Sequence, residues 1–235
     1  MPSEARLPPA TRSVLVTGGG RGIGAATAWR CAEQGWAVAV NCARDTAAAQ
    51  AVADRITAAG GQALVLPADV ADEAQVLAMF ARLDAELPPL HGLVNNAGVI
   101  DVASRVDAIT LARLQRMFAV NVFGSFLCAR EAVQRLSTAH GGPGGAIVNL
   151  SSAAARLGAP GQYVDYAAAK GAIESFTTGL ALEVAAEGTR VNAVRPGIID
   201  TDIHASGGAP GRPAQMAPAL PMRRCGSADE VAQAI

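Results

Sequence analysis

The sequence is poor in aromatic residues and almost lacks lysine. Only 4% of its 235 residues are Phe, Trp or Tyr, and there are three histidines and a single lysine. The four cysteines are widely separated and form no CxxC pair, which excludes the usual metal-binding and disulfide patterns. We therefore expect no metal site and expect four reduced thiols, at Cys31, Cys42, Cys128 and Cys225.

Charge of one sign and long apolar runs are also lacking. The formal net charge of −1 provides no basic surface for nucleic acid, and no apolar run approaches the roughly 20 residues that cross a bilayer. The first residues, "MPSEARLPPATR", lack the apolar stretch of a signal peptide. We therefore expect a cytoplasmic protein with a small-molecule substrate and without nucleic-acid or membrane partners.

What the chain does contain is a regular alternation of short apolar runs and longer helical patterns. Strands are predicted over 13–17, 37–41, 63–68, 92–95, 146–151 and 190–194, and helices near 22–34, 45–59, 72–86, 110–138 and 165–187. Apolar strands joined by helices indicate parallel pairing. The predicted fold class is α/β: a three-layer, doubly wound parallel sheet (Rossmann fold) in a single domain over 13–235, after a flexible tail over 1–12. The segment over 202–220 is rich in Gly and Pro and is predicted to be irregular. We expect it to form a substrate loop.

The first predicted strand runs into the glycine cluster "TGGGRGIG", over 17–24, before a helical pattern begins. Glycines at a strand-to-helix turn let the backbone approach a pyrophosphate, and the helix start offers free N–H groups. In this context the cluster predicts a dinucleotide-binding turn.

The end of the second strand discriminates between the two nicotinamide dinucleotides. NAD(H) binding favours a carboxylate there for the ribose 2′-hydroxyl, and NADP(H) binding favours arginine. Here Asn41 and Cys42 stand in place of the acid, followed by Arg44, and Arg21 in the glycine turn can face the same position. NADP(H) is therefore the expected cofactor. NAD(H) stays open, because a small shift in register would make Asp45 the hydroxyl-binding acid.

The lone lysine follows a tyrosine at helical spacing, in "YVDYAAAK" over 163–170. Tyr166 and Lys170 are four residues apart and share one helix face. A fixed cation lowers a phenol pKa toward neutral pH, where the phenol works as an acid or base. Tyr163 lies two turns from Lys170 and is expected to be a substrate-wall or packing residue.

Two serines, Ser151 and Ser152, end the fifth predicted strand in "NLSS". A hydroxyl at this position can donate a hydrogen bond to a carbonyl oxygen on which negative charge develops. The same serines could instead cap a turn.

Taken together, these motifs resemble those of the classical short-chain dehydrogenases/reductases over nearly the whole chain. The resemblance rests on "TGGGRGIG", "ADV" (68–70), "NNAG" (95–98), Asn121 in "FAVNVFG", "NLSS" with "YAAAK", and "RPGIIDT" (195–201). It implies that Tyr166 exchanges the proton, that Lys170 lowers the Tyr166 pKa and binds the nicotinamide ribose, that Ser152 polarises the carbonyl, and that Asn121 holds a water linking Lys170 to solvent.

The same resemblance implies the cofactor contacts. Gly18, Gly22 and Gly24 would form the phosphate turn, and Asp69 with Val70 would touch the adenine. The full set of expected cofactor-binding residues is Gly18, Arg21, Gly22, Ile23, Gly24, Asn41, Arg44, Asp69, Val70, Asn96, Gly98, Tyr166, Lys170, Pro196, Gly197 and Thr201.

This sequence departs from the family pattern in two places. Family members place the serine one residue closer to the tyrosine than Ser152 stands, so Ser151 remains an alternative. They also continue past the last helix into a further strand, whereas this sequence stops at "EVAQAI", within that helix. That strand is expected to be missing from the chain.

The expected function is NADP(H)-dependent interconversion of a ketone or aldehyde and an alcohol. The substrate wall is expected to include Tyr163, Arg156, Leu157 and the 202–220 segment. A 3-oxoacyl thioester, a sugar, a steroid-like ketone and a xenobiotic ketone all remain open, as do an NAD(H)- or dual-specific sugar dehydrogenase and an NADP(H)-binding redox sensor without turnover. Gly171 and Gly179, inside the tyrosine helix, favour close packing of another helix, and we expect a homo-oligomer, a tetramer or dimer.

Overall fold

The computed structural model of the protein describes residues 10–235. The strands are β1 Ser13–Val16, β2 Ala37–Cys42, β3 Ala63–Pro67, β4 Leu90–Asn95, β5 Gly145–Leu150 and β6 Thr189–Val194. The helices are α1 Gly22–Glu33, α2 Thr46–Ala58, α3 Glu73–Glu86, α4 Leu111–Phe118, α5 Gly124–Leu136, α6 Ala154–Leu157, α7 Val164–Val184, α8 Ile203–Ser206, α9 Arg212–Met216 and α10 Ala228–Ala232.

All six strands pair in parallel, in the order β3-β2-β1-β4-β5-β6. The predicted doubly wound sheet is confirmed. The strand order reverses between β1 and β4, and ligands of such sheets bind outside the carboxyl ends of the strands at this point. The turn after β1 and the segment after β4 therefore meet where a cofactor is expected.

Two apolar cores lie on opposite faces of the sheet. Successive side chains of β1 alternate between them: Leu15 packs with Phe80 of α3 and Leu136 of α5, while Val14 packs on the other side with Ile56 of α2. Strands buried on both faces read as continuous apolar runs. This is why the strand positions followed so closely from the sequence.

The predicted flexible tail over 1–12 falls mostly outside the described residues, which begin at residue 10. Arg12 belongs to the folded domain. Its guanidinium lies 4.0 Å from the ring centroid of Trp36, and its carbonyl accepts a hydrogen bond from the Ala37 amide at 2.9 Å. The folded domain therefore begins before residue 13.

Two predicted segments differ in the structure. The helix expected over 110–138 is divided into α4 and α5 by a π-helical turn, Ala119–Phe123. The segment over 202–220, expected to be irregular, contains α8, α9 and a 3-10 turn, Ala217–Ala219. Helices this short are stabilised by tertiary packing and give little sequence signal. Within residues 10–235, no helix is long and apolar enough to span a membrane.

All four cysteines are free thiols. Burial raises the pKa of Cys31 to about 11 and that of Cys128 to about 12, where the like charge of Glu131 adds to the shift. Both side chains are therefore protonated and unreactive near neutral pH.

Candidate functional site

The glycine cluster forms a tight turn between β1 and α1. Gly18 and Gly22 have φ angles of +60° and +53°, in the left-handed region that favours glycine. A Cβ on Gly24 would lie 2.3 Å from the Gly18 oxygen, so no other residue fits there. Asn96 fixes the turn from the end of β4, because its Nδ2 donates to the carbonyl oxygens of Thr17 and Gly18 at 2.8 and 3.0 Å.

The start of α1 is equipped to bind an anion. The helix has neither a side-chain cap nor an acidic residue in its first turn, which includes Ile23. Its first N–H groups and the positive end of its dipole are therefore available to a phosphate. The turn and helix start together fit the pyrophosphate of a dinucleotide.

Arg21 and Asn41 are placed differently from the expectation. One guanidinium nitrogen of Arg21 donates to Ser206 Oγ at 3.2 Å, so this side chain spans from the glycine turn to α8 rather than toward the end of β2. Asn41 is buried, and its Nδ2 donates to the carbonyl oxygens of Leu66 and Ala68. Its Oδ1 accepts from the Gly18 amide at 3.2 Å, so Asn41 joins the end of β2 to the glycine turn instead of pointing outward.

Arg44 and Asp45 follow β2 and differ in their partners. Arg44 is exposed and has no ion pair within the described part of the chain. Asp45 caps α2 by accepting a hydrogen bond from the Ala48 amide at 3.0 Å. The carboxylate that could have bound a ribose hydroxyl is thus engaged with its own helix, while the arginine is free.

Asp69 and Val70, expected at the adenine, are held by local contacts. The Asp69 carboxylate accepts from the Ala71 amide at 3.0 Å, and its own amide donates to Gln75. Val70 packs against Gly124, where a Cβ would approach Val70 Cγ2 to 2.6 Å. Both residues follow β3 at the carboxyl edge of the sheet.

Asn121 lies in the π-helical turn and is fully buried. Its Nδ2 donates to the carbonyl oxygens of Val99 and Met117, both at 2.9 Å, and its Oδ1 accepts from the Val99 amide. Gly98 separates Asn121 from the lysine, because a Cβ on Gly98 would lie 2.8 Å from Asn121 Oδ1 and 3.6 Å from Lys170 Nζ. Asn121 and Lys170 therefore both lie beside Gly98.

Lys170 is buried on α7, and its Nζ donates to the Leu150 carbonyl oxygen at 2.7 Å. Burial lowers its pKa to about 8, because the charged form loses hydration. The Nζ atom lies 5.7 Å from the ring centroid of Tyr166. The sequence pair is therefore a spatial pair at the end of β5.

The pKa of Tyr166 is raised by burial, and a hydrogen bond with Ser152 opposes that shift. The lowered pKa expected from the lysine is not found in this structure. Removal of the phenol from water outweighs an ammonium that faces the ring rather than touching the hydroxyl.

The two serines have different partners. Ser151 is buried, and its Oγ donates to Glu174 Oε1 at 2.8 Å. Ser152 Oγ accepts from the Ala154 amide at 3.2 Å and hydrogen-bonds with Tyr166. Both serines line the cleft, but the Ser151 hydroxyl is already bound to a carboxylate, whereas Ser152 is paired with the tyrosine.

Glu174 was not predicted from the sequence, and its carboxylate contacts side chains around the site. Arg195 Nε donates to its carboxylate at 2.6 Å, and Arg156 lies at 3.5 Å. The pKa of Glu174 falls to about 2, chiefly through the Arg195 hydrogen bond, with the Ser151 hydrogen bond contributing. The sequence feature that could have identified Glu174 is its position four residues after Lys170, on the same helix face.

Asp165, next to the tyrosine, was also missed. Its side chain is fully buried and forms a two-pronged ion pair with Arg113 of α4, at 2.7 and 3.1 Å. This pair fixes the start of α7, and with it the direction of Tyr166.

Ser151, Ser152, Tyr166 and Lys170 line one cleft of about 580 Å³. Tyr163 and Leu157 of the expected substrate wall also line it, whereas Arg156 does not. Predicted cofactor-contacting residues that border the cleft are Ile23, Asn96, Gly98, Pro196, Gly197 and Thr201. Among residues 10–235, no group of three or more His, Cys, Asp or Glu side chains is placed to hold a metal ion.

Residues 12–209 match the family model described as short chain dehydrogenase. The chain belongs to this family. It is therefore an oxidoreductase of the short-chain dehydrogenase type. A relative from Escherichia coli (strain K12), the uncharacterized oxidoreductase YgfF, is 58% identical over 94% of this chain and 90% of its own length.

Solved structures of this family superpose closely. A short-chain dehydrogenase from Burkholderia cenocepacia in complex with NADP is 34% identical, with a TM-score of 0.87 over 96% of this chain and 89% of its own. A 3-ketoacyl-(acyl-carrier-protein) reductase from Brucella melitensis, complexed with NADH, is 30% identical, with the same TM-score and coverage. Short-chain dehydrogenases of this fold thus bind either nicotinamide dinucleotide.

Proposed function

We propose that this short-chain dehydrogenase is an NADP(H)-dependent enzyme that interconverts a ketone or aldehyde and the corresponding alcohol. The observation that carries the proposal is the meeting of Ser152, Tyr166 and Lys170 in one cleft, beside a glycine turn with a free helix start. A hydride donor or acceptor bound at that turn is needed for such chemistry, and a reduced or oxidised nicotinamide supplies it when bound.

The residues of the cleft orient the carbonyl group and transfer the proton. Ser152 orients the carbonyl oxygen and donates a hydrogen bond as negative charge develops on it. Tyr166 gives the proton to that oxygen during reduction and takes it from the alcohol during oxidation. Lys170 has a pKa of about 8 and donates a hydrogen bond to the Leu150 carbonyl oxygen, so it can replace the proton that Tyr166 gives up. Asn121 lies near Lys170.

The preference for NADP(H) rests on the residues after β2. Arg44 is exposed without an acidic partner in the described chain, and Asp45 is occupied as the cap of α2. A planar guanidinium suits a 2′-phosphate, whereas a ribose hydroxyl calls for a free carboxylate. NADP bound to the Burkholderia cenocepacia relative supports the same choice. NAD(H) remains the alternative cofactor.

The test of this proposal is turnover by wild-type enzyme and by Tyr166→Phe, followed through the absorbance of reduced nicotinamide. We expect oxidation of NADPH with members of a panel of ketones, aldehydes and β-keto esters, and a loss of at least about 100-fold in kcat for the variant, since general acid–base catalysis contributes that much. The variant should still bind NADPH, measured by fluorescence titration. Equal turnover by the two enzymes would contradict the role of Tyr166.

Cofactor preference is read from the same assay. Arg44→Gln should weaken NADPH binding by about 10-fold or more while leaving NADH binding nearly unchanged, because only the former carries the phosphate. A wild-type preference for NADH would overturn the NADP(H) assignment.

We also propose that the enzyme forms a homo-oligomer through α5 and α7. Their exposed apolar side chains include Phe126 of α5 and Leu182 of α7, of which Leu182 is 78% exposed, and Phe123 is exposed just before α5. Gly171 and Gly179 of α7 have no neighbouring atom within 4 Å of an added Cβ in the described chain, which leaves room for another helix. Apolar side chains beside glycines suit close packing against a second copy.

A further inference from the structure

The cleft beyond the serine and tyrosine has an uneven distribution of charge. Its walls are mainly apolar, with Ile100, Leu157, Met216 and Leu220 among them. No Asp or Glu lines it among the described residues, and its lysine, Lys170, already donates to a backbone carbonyl. Arg212, the first residue of α9, is the arginine that lines the cleft.

Arg212 is held in place but lacks an anionic partner. Its guanidinium carbon lies 5.1 Å from the ring centroid of Tyr163, within the range of a cation–π contact. Within residues 10–235 it makes no ion pair, and its side chain donates no hydrogen bond. By contrast, Arg113 and Arg195 near the same site both bind carboxylates.

A partly buried guanidinium beside apolar walls is stabilised most by a carboxylate that its planar fork can bind in two places. The cleft itself offers no such group. A ligand that brings one carboxylate and an otherwise apolar body would satisfy both the arginine and the walls.

We propose that Arg212 binds a carboxylate of the substrate, and that the enzyme acts on oxo acids, or the matching hydroxy acids, with an apolar body and a single anionic group. This inference rests on the proposed function. Arg212, Tyr163 and Tyr166 line the same cleft, so one ligand can contact the guanidinium and the catalytic phenol together.

The test compares oxo acids with their neutral methyl esters, using 4-acetylbenzoate, 4-oxo-4-phenylbutanoate and 4-oxocyclohexanecarboxylate. Wild-type enzyme should favour the acids in kcat/KM, mainly through a lower KM. Arg212→Gln should lower kcat/KM for the acids by about 10- to 100-fold, the worth of a charge-assisted hydrogen bond, and change the esters by less than about threefold. Arg212→Lys should recover part of the loss.

The matched control is Arg190→Gln. Arg190 is an exposed residue of β6 outside the cleft, so this variant makes the same change in net charge. It should leave the acid-to-ester ratio at its wild-type value. A fall in that ratio equal to that of Arg212→Gln would show a long-range charge effect and overturn the proposal.

A binding measurement separates this inference from the proposed function. Calorimetry with 4-methylbenzoate and 4-methylbenzamide, on enzyme saturated with NADP⁺, should show tighter binding of the acid to wild type and loss of that preference in Arg212→Gln. If esters turn over as well as acids and the acid binds no tighter than the amide, Arg212 has no carboxylate role although the oxidoreductase reaction stands. If no compound turns over but the acid binds through Arg212, the reaction is wrong and the carboxylate site stands.

Discussion

Ser151 and Ser152 show how adjacent residues of the same type acquire different roles. Ser152 hydrogen-bonds with Tyr166, whereas the Ser151 hydroxyl donates to Glu174. We expect Ser152→Ala to lower kcat by about 100- to 1000-fold, the cost of removing a donor to a developing oxyanion.

Ser151→Ala is the matched variant and should lower kcat far less. It removes one hydrogen bond to a carboxylate that still binds Arg195, so a loss of about 1 kcal/mol in the free energy of unfolding is expected. Steady-state kinetics and urea unfolding of both variants measure the two effects. A larger loss of kcat in Ser151→Ala would reverse the assignment.

Burial of Lys170 makes stability depend on pH in a defined direction. Its pKa is lowered from 10.5 to about 8 in the folded protein. Below pH 8 both folded and unfolded chains hold the proton, and the cost of the buried charge is fully present. Between pH 8 and about 10.5 the folded protein releases the proton first, so stability rises with pH, by about 3 kcal/mol in all.

The variant Lys170→Met lacks this titration. The free energy of unfolding of wild type minus that of the variant should therefore increase from pH 8 to pH 10, measured by urea unfolding at a series of pH values. The subtraction removes the contribution of distant groups whose pKa also changes on folding, such as the buried thiol of Cys128. A difference that stays constant across the range would contradict the buried ammonium.

At the residue scale, the sequence predicted which side chains lie close together but not the direction in which each of them points. Tyr166 and Lys170 were placed together because helical spacing is a local property. The direction of Arg21 toward Ser206 depends on a contact between residues 185 positions apart, which no local pattern contains. The pKa of Tyr166 depends on burial by the completed fold in the same way.

At the scale of elements, the buried ion pair between α4 and α7 dominates the positioning of the tyrosine. Arg113→Met leaves the Asp165 carboxylate buried without a partner, and we expect a loss of about 3 to 5 kcal/mol in the free energy of unfolding. Activity should fall as well, since α7 then loses its anchor beside Tyr166.

The control for this variant is Arg82→Met on α3. Arg82 pairs with Glu86 at 2.9 Å, but the two side chains are 50% and 43% exposed, and an exposed pair contributes about 1 kcal/mol or less. Urea unfolding of both variants compares the costs directly. Equal costs would mean that the Arg113 pair is no more important than a surface pair.

The central strands β1 and β2 were predictable because each is short, mainly apolar and buried along its whole length. Helix boundaries inside long polar-apolar patterns were less so. The π-helical turn over 119–123 differs from an α-helix in its hydrogen-bonding partner by one residue, and such turns leave no periodic signature over so short a span. The helices α8 and α9 depend on packing over the cleft for the same reason that short helices are unstable alone.

For the whole molecule, the doubly wound parallel sheet was predicted from the alternation of strands and helices. The order β3-β2-β1-β4-β5-β6 was not predicted, because the reversal between β1 and β4 depends on contacts between distant parts of the chain. The self-association proposed for α5 and α7 is a property that one chain cannot display.

We expect wild-type protein to be a dimer or tetramer and Leu182→Glu to shift it toward smaller species, because a charge would be buried at the interface. Analytical ultracentrifugation measures the change. Met222→Glu is the control, since Met222 is an exposed apolar residue outside α5 and α7 and its replacement should leave the mass unchanged. A monomeric wild type, or a variant of unchanged mass, would contradict the interface.

The π-helical turn also has a consequence for how this site can be altered. Such a turn contains one residue more than the corresponding α-helical turn, and Asn121 lies within it. Deleting a single residue between 119 and 123 should let α4 and α5 merge into one regular helix and rotate Asn121 away from Val99 and Gly98. The register of one helix therefore sets the position of an amide at the site, and it can be changed without altering any residue of the cleft.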